Sequence, residues 1–148
     1  MSRVILIPLT LLCAIGAGSA LAEDPPQVVR HEIMECAGDA AKAVGKMLKE
    51  ESPFDAETAM ASFNTWEEVA GEFGSLFPEG TESGHDTRAK ATIWSDRAGF
   101  EAALATFSDA VDAAIAANPQ DLEALKGAAG PVFKACKGCH EDYRVEED

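Results

Sequence analysis

The sequence of 148 residues has few basic and few aromatic side chains. It contains 12 lysine and arginine residues against 26 aspartate and glutamate residues, which gives a formal net charge of −14. Proteins that bind nucleic acids need a basic face, so this balance excludes most of them and also disfavours docking on anionic lipid. Aromatic residues make up only 7% of the chain. Much of the apolar content is alanine, a strong helix former and a poor strand former, which argues against a β-sandwich or β-barrel.

Long apolar runs are also absent after the first 22 residues, so no later segment predicts a membrane span. Residues 1–22 contain one basic residue, a short apolar stretch and a final Ala-Leu-Ala, a pattern that predicts a cleaved secretory signal peptide. A membrane anchor is the competing interpretation, but a span needs about 20 apolar residues, and Pro8 and Gly16 interrupt this run. We therefore expect a periplasmic protein whose mature residues, 23–148, form one domain.

Four segments of the mature chain repeat apolar residues at steps of three and four, the spacing of an amphipathic helix. They run from Pro25 to about Lys49, from Asp55 to Phe77, from Ser95 or Asp96 to Ile115, and from Asn118 to Tyr143. Asp55 and Asn118 are residue types that cap helix N-termini, and Pro119 suits a first helical turn. The short connections predict an all-α fold, an antiparallel up-down-up-down four-helix bundle.

This topology has a consequence for the ends of the helices. The start of the first helix, the end of the second, the start of the third and the end of the fourth all lie at one end of the bundle. The longest irregular segment, Pro78 to Ile93, lies at the same end. Within it, Arg88 and Lys90 are expected to be solvated loop residues.

The residues that carry chemistry lie near the C-terminus, between Cys136 and His140, in the pattern C-x-x-C-H. This pattern is the attachment motif for c-type haem. On a helix the two thiols face the same way and can form thioethers with the two vinyl groups, while His140 lies on that face beneath the iron. The motif therefore predicts one covalently attached haem c, held by Cys136 and Cys139, with His140 as an axial ligand.

Other interpretations of the cysteine pair fit the sequence less well. A zinc site would need a second pair of ligands, and the remaining Cys36, His31 and His85 form no such pair. A thioredoxin-like redox pair would follow a strand, and none is predicted. A structural disulfide suits an exported protein but leaves His140 without a role. Cys36 is expected to pack on the apolar face of the first helix, with an intermolecular disulfide or a redox-active thiol as the alternative.

The residue opposite the iron decides the function. Antiparallel pairing puts the start of the first helix beside the end of the fourth, so Met34 is level with His140. Met47 lies about 20 Å further along the first helix at the α-helical rise of 1.5 Å per residue. Met34 is therefore the methionine expected within reach. It either binds the iron or packs against the haem, and its place on the helix leaves both interpretations open.

The mature chain resembles the class II cytochromes c, the cytochrome c-prime family of periplasmic four-helix haem proteins. The matching stretches are Arg30-x-x-x-Met34, Pro53 to Asp55, Phe77 to Glu82, Ile93 to Asp96, and Cys136 to Arg144. They follow one another in the family's order from the first helix to the fourth. The resemblance implies covalent haem c, with Cys136 and Cys139 as its anchors and His140 as the proximal ligand.

The resemblance also implies roles for residues outside the C-x-x-C-H motif. It places Arg30 beside a haem propionate and Arg144 near the proximal face of the haem. Phe77 and Glu82 belong to the loop stretch that is similar to the family's, and they are expected at the rim of the haem pocket. A family member of this kind occurs as a monomer or as a homodimer.

The family has two branches that differ at the position of Met34. In one branch an apolar residue blocks the sixth site, and the five-coordinate, high-spin iron binds NO or CO. In the other branch a methionine binds the iron, and the low-spin protein carries electrons. Met34 and Gly38 are more similar to the low-spin branch. We expect a one-electron carrier with His140 and Met34 as ligands, and the alternative is a high-spin protein that binds NO or CO, with Met34 as a steric distal residue.

The same sequence predicts the partners of such a carrier. Its acidic surface favours redox proteins with basic patches, and salt is expected to weaken the association. No Ser-His-Asp grouping, phosphate-binding loop or dinucleotide fingerprint predicts an enzyme. We therefore expect no enzymatic activity.

Overall fold

The computed structural model describes residues 24–146, and most of them are helical. The helices are α1 (Pro26–Leu48), α2 (Ala56–Glu72), α3 (Thr92–Ser95), α4 (Arg97–Ala117) and α5 (Leu122–Tyr143). Among the described residues, β-pairing is limited to one isolated bridge, between Ala89 and Arg144. The predicted signal peptide lies outside the described residues, so its cleavage stays a prediction.

The four long helices pack around a common core. Helix α1 packs on α2, α2 on α4, α4 on α5, and α5 on α1, while the single turn of α3 leads into α4. Gln27 near the start of α1 donates a hydrogen bond to the Ser83 carbonyl (2.9 Å), and the Lys90 amide donates to the Tyr143 carbonyl at the end of α5 (2.9 Å). These bonds bring the predicted helix ends and the long loop together, and the predicted antiparallel four-helix bundle is confirmed.

Two of the predicted helix starts are capped by their own side chains. Asp55 accepts a hydrogen bond from the Thr58 amide (2.7 Å) at the start of α2, and Asp96 accepts one from the Gly99 amide (3.2 Å) at the start of α4. Each carboxylate thereby satisfies an amide that has no partner within its own helix.

The junction between α4 and α5 differs from the prediction. Asn118 ends α4 in the left-handed conformation (φ 41°) and does not cap α5. Asp121 caps α5 by accepting a hydrogen bond from the Ala124 amide at 2.8 Å. Asparagine tolerates left-handed backbone, and Pro119 next to it cannot continue a helix, so this pair stops one helix before the next begins.

The second predicted helix is shorter than its apolar stripe. Helix α2 ends at Glu72, and a tighter 3₁₀ turn, Phe73–Leu76, continues the stripe towards Phe77. Gly74 lets this turn lie close to α4, since a Cβ atom added there would be 3.1 Å from the Leu104 side chain. The apolar pattern predicts a further α-helical turn here, and the chain instead forms a 3₁₀ turn that packs closely on α4.

The buried side chains form two clusters. The main core fills the middle of the bundle, and its largest members with almost no exposure are Val44, Phe63, Trp66, Val111, Leu125 and Val132. The site-end cluster consists of Phe77, Ile93, Phe100 and Tyr143. Cys136 packs against the main core and Cys139 packs against the site-end cluster, so the predicted haem motif lies where the two meet. Within residues 24–146, no helix combines the length and the apolar character needed to cross a bilayer.

Candidate functional site

Helix α5 presents Cys136 and Cys139 to the interior, one helical turn apart. Both side chains are half-buried free thiols, so the structural disulfide considered above is not formed. Burial, with a smaller contribution from the neighbouring Cys136 and Asp142, raises the pKa of Cys139 to about 11. Burial also raises the pKa of Cys136. The pair is therefore held as neutral thiols whose sulfur atoms are available to bond to one apolar group.

His140 follows on the same helix but lies exposed, on a cavity of about 620 Å³. Arg88 and Arg144 also line this cavity. Partial burial of the ring, together with the charges of Arg144 and Arg88, lowers the pKa of His140. The lowered pKa favours the neutral imidazole, which is the form that binds a metal. Arg144 thus lies on the same cavity as His140, and its place near the proximal face of a haem stays a prediction.

Arg30 lies in the interior of the same end of the bundle, although it is charged; it is only 5% exposed. Its guanidinium carbon is 4.5 Å from the centre of the Phe77 ring and 5.7 Å from that of Trp94. Its Nη2 atom donates to the Thr81 carbonyl at 2.7 Å. Aromatic rings and the loop carbonyl therefore hold the guanidinium in one place.

One atom of this guanidinium distinguishes the site. Arg30 Nη1 is buried and has no hydrogen-bond partner among the described residues. Burial lowers the pKa of Arg30, while the charge of Glu82 opposes that shift. Glu82 itself is exposed and accepts a hydrogen bond from the Gly80 amide at 3.0 Å. A buried donor without a partner is costly, so the site is suited to an added acceptor such as a carboxylate.

Met34 lies on α1, one turn after Arg30. It is half-buried and packs against the main core, as Cys136 does from α5. Phe77 is 5% exposed and lies inside the site-end cluster, in contact with the rings of Phe73, Trp94 and Phe100. The structure thus brings Arg30 and Phe77 together, and it places Glu82 and His140 at the surface.

The loop before α3 contains two basic residues that bind the end of α5 and the segment just after it. Arg88 and Lys90 were expected to be solvated, but Arg88 Nη2 donates to the Val145 carbonyl (3.1 Å) and Lys90 Nζ donates to the Glu141 carbonyl (2.7 Å). Their acceptors are more than 50 residues away in sequence, and only the shared end of the bundle hinted that they would meet.

A second contact at this end joins α4 to α5. The hydroxyl of Tyr143 donates to Asp96 Oδ2 at 3.4 Å, and the Tyr143 ring packs edge-on against Phe100, with centroids 5.3 Å apart. Gly99 lies under this pair and leaves room for it. The turn that carries Cys139 and His140 is therefore anchored from two sides.

Taken by their chemistry, these residues fit a c-type haem. Cys136 and Cys139 supply two thiols at the required spacing, and His140 supplies an imidazole whose lowered pKa favours the neutral form. Arg30 supplies a buried donor for a propionate carboxylate. The two buried clusters against which the cysteines pack contain aromatic and aliphatic side chains from all four long helices.

Comparison with known proteins agrees with this chemistry. The model of the family described as Cytochrome C' matches residues 27–144. The cytochrome c' of Rhodopseudomonas palustris is 32% identical over 136 residues, which cover 92% of each chain. Cytochrome c-556 of the same organism is 29% identical over 137 residues, which cover 90% of this chain and 91% of that one.

Comparison with solved structures identifies the same kind of protein. A solved structure of cytochrome c' from Rhodopseudomonas palustris superposes with a TM-score of 0.81 at 31% sequence identity. The superposition covers 85% of this chain and all of the other. The similarity therefore extends over the whole bundle and includes the turn that carries the two cysteines.

Proposed function

This chain belongs to the cytochrome c' family, and from that premise we propose that it is a periplasmic one-electron carrier with His140 and Met34 as axial ligands of the haem iron. The family binds one covalently attached c-type haem, and both cysteines of the attachment motif are present. When bound, the haem supplies an iron couple that takes up and releases one electron.

The observation that carries the proposal is the position of Met34. Met34 is one helical turn from Arg30, and it packs against the same core cluster as Cys136. Because the start of α1 and the end of α5 lie at the same end of the bundle, this position supports a thioether at the end that holds the motif. Sulfur of a methionine is a soft ligand that favours reduced iron, which suits an electron carrier.

The other residues of the site hold and orient the group. Cys136 and Cys139 bind it covalently through their sulfur atoms, so it cannot dissociate after export. Partial burial and the charges of Arg144 and Arg88 lower the pKa of His140, which favours the neutral ring that binds iron through a nitrogen atom. Arg30 Nη1 donates to a propionate, which removes the cost of a buried donor without a partner.

The proposal includes the route and the partners of the protein. Residues 1–22 direct export and are removed, which leaves residues 23–148 as the functional domain. The formal net charge of −14 favours redox proteins that present basic patches, and it makes association sensitive to salt. Because an electron carrier does not convert a substrate, the proposal includes no enzymatic activity.

Substitution of the distal ligand tests the proposal. Met34→Ala is expected to convert the ferric protein from low to high spin, to lower its reduction potential and to let CO bind readily, because the substitution removes the soft ligand from the sixth site. Met60→Ala is the matched control, since Met60 also packs half-buried against the main core, but from the opposite end of the bundle. Absorption spectra of both oxidation states, with and without CO, measure these changes.

The same spectra decide against the proposal if the unmodified protein is already high-spin in both oxidation states and binds NO or CO without losing a ligand. Met34 would then be a steric residue over an open site. The function would be the binding of a diatomic gas, as in the five-coordinate branch.

A further inference from the structure

The last turn of α5, which carries His140, ends in four carbonyl groups that have no partner within a helix. The His140 carbonyl accepts from the Arg144 amide at 3.1 Å, which is a local bond. The other three accept from a separate segment. Lys90 Nζ donates to the Glu141 carbonyl (2.7 Å), Thr92 Oγ1 donates to the Asp142 carbonyl (3.3 Å), and the Lys90 amide donates to the Tyr143 carbonyl (2.9 Å).

Residues 88–92, which we call the strap, therefore cap α5 from outside the helix. The strap is itself held in register by the isolated bridge between Ala89 and Arg144 and by the bond from the Val145 amide to the Arg88 carbonyl (2.8 Å). The ammonium of Lys90 also lies at the negative end of the helix dipole, where a cation is favourable. No residue of α5 could supply these donors, because the chain leaves the helix at Arg144.

We infer that Lys90 and Thr92 are positioning residues for His140. Their side-chain donors fix the carbonyls of the two residues that directly follow His140, and so they restrict the movement of the turn on which its imidazole is mounted. The inference rests on the proposed function, in which His140 binds the haem iron. It assigns a role to a loop that contains neither a ligand nor an anchor of the haem.

Paired substitutions in the haem-loaded protein test this assignment. Lys90→Met keeps the aliphatic chain and removes the ammonium, and Thr92→Val keeps the shape and removes the hydroxyl. Lys90→Arg and Thr92→Ser retain a donor and serve as rescue variants. Lys42→Met and Thr106→Val are matched controls, since among residues 24–146 Lys42 bonds to Asp39 of its own helix and Thr106 to the Ala102 carbonyl of its own helix.

The first measurement is hydrogen exchange of backbone amides, followed by mass spectrometry. We expect exchange in residues 139–145 to be about fivefold faster for each lost bond, since a capping bond contributes on the order of a factor of five to local opening. The rescue variants should exchange like the unmodified protein. The inference is wrong if exchange in this turn does not change, if it rises equally in all helices, or if the rescue variants behave like Lys90→Met and Thr92→Val.

The second measurement is the position of the hyperfine-shifted proton signals of His140 in the NMR spectrum of the ferric protein. These signals should move in Lys90→Met and Thr92→Val and return in the rescue variants. If exchange responds while the signals stay in place, the strap only caps the helix and does not position the ligand. If the unmodified protein has no such signals, the ligand role of His140 fails, and the exchange result still decides whether the strap caps α5.

Discussion

The two ends of the bundle hold their helix termini in different ways. At the end away from the haem motif, Asp55 and Asp121 cap α2 and α5 with bonds to amides three residues ahead. At the motif end, the bonds from Lys90, Thr92 and Arg30 to backbone carbonyls span 50 or 51 residues of sequence. The far end is thus held by local caps, whereas the motif end combines the local cap at Asp96 with bonds between distant parts of the chain.

This difference indicates which end of the bundle must be held rigidly. Local caps form with the helix and hold one terminus each. Bonds between distant segments form only once the chain has folded, and they fix several elements relative to one another at once. A site that must hold an iron ligand in a constant position benefits from the second kind, whereas a simple reversal of chain direction needs only the first.

Gly99→Ala is expected to destabilise the motif end of the bundle, and its effect on the free energy of unfolding should be the largest of those predicted here. An added Cβ atom would clash first with the Asp96 carboxylate and would lie 2.6 Å from the Tyr143 hydroxyl, so Gly99→Ala must displace both the cap of α4 and its contact with α5. We expect a loss of about 1–3 kcal/mol in the free energy of unfolding, the usual cost of overpacking. Urea denaturation of the haem-loaded protein measures it.

Gly127→Ala is the matched control on α5. No atom lies within 4 Å of a Cβ added there, and the residue is exposed inside the helix. Alanine should therefore stabilise the protein by about 0.5–1 kcal/mol, because glycine loses more backbone freedom on folding. A loss of stability of similar size in both variants would contradict the special role of Gly99.

The same contrast explains how much of the fold was predictable. The cap at Asp55 follows from residue type and from the apolar pattern that starts after it, and this prediction is confirmed. The same pattern leaves Ser95 and Asp96 open as the start of α4, and Asp96 is the residue that caps it. The bundle topology and the position of the cysteine motif on its last helix follow from four amphipathic segments with short links. These features depend on neighbours in sequence, which the sequence displays directly.

The features that the sequence does not predict are of two kinds. Some residues suit more than one local structure, and others bond to partners that are distant in sequence. Asn118 suits both a helix start and a left-handed helix end, and the following Pro119 together with Asp121 decides for the second. Lys90 has no local signal for its partner, since its acceptors belong to a helix that begins 32 residues later. Only the folded bundle shows that this loop is bound to α5.

Removal of the Asp121 cap, at the end of the bundle away from the motif, is expected to have a moderate effect on stability. Asp121→Ala should cost about 1 kcal/mol in the free energy of unfolding, because the Ala124 amide loses its acceptor. Asp121→Asn, which can still accept that bond, should cost only a few tenths of a kcal/mol. Amide exchange should rise in the first turn of α5 alone. A rise that extends to residues 139–145 would show that the two ends are coupled.

The smallest expected effect is the pH dependence of the cap at Asp55. Hydrogen bonds from the side chain and the amide of Thr58 hold the pKa of Asp55 below its ordinary value. The folded state therefore binds this proton less readily than the unfolded state. The resulting stabilisation is complete above the ordinary aspartate pKa of about 4 and is lost as the pH falls through the lower pKa of the folded protein.

Asp55→Asn removes this titration but keeps an oxygen that can accept the bond from Thr58. The unmodified protein should therefore be more stable than Asp55→Asn near neutral pH, and its advantage should shrink as the solution is acidified. Urea midpoints of the two proteins, compared at several pH values between about 6 and 3, measure the difference. Because the bond is local and exposed, spectra of the haem should be identical in the two proteins. An advantage that stays constant or grows on acidification would mean that the charge of Asp55 does not stabilise the start of α2.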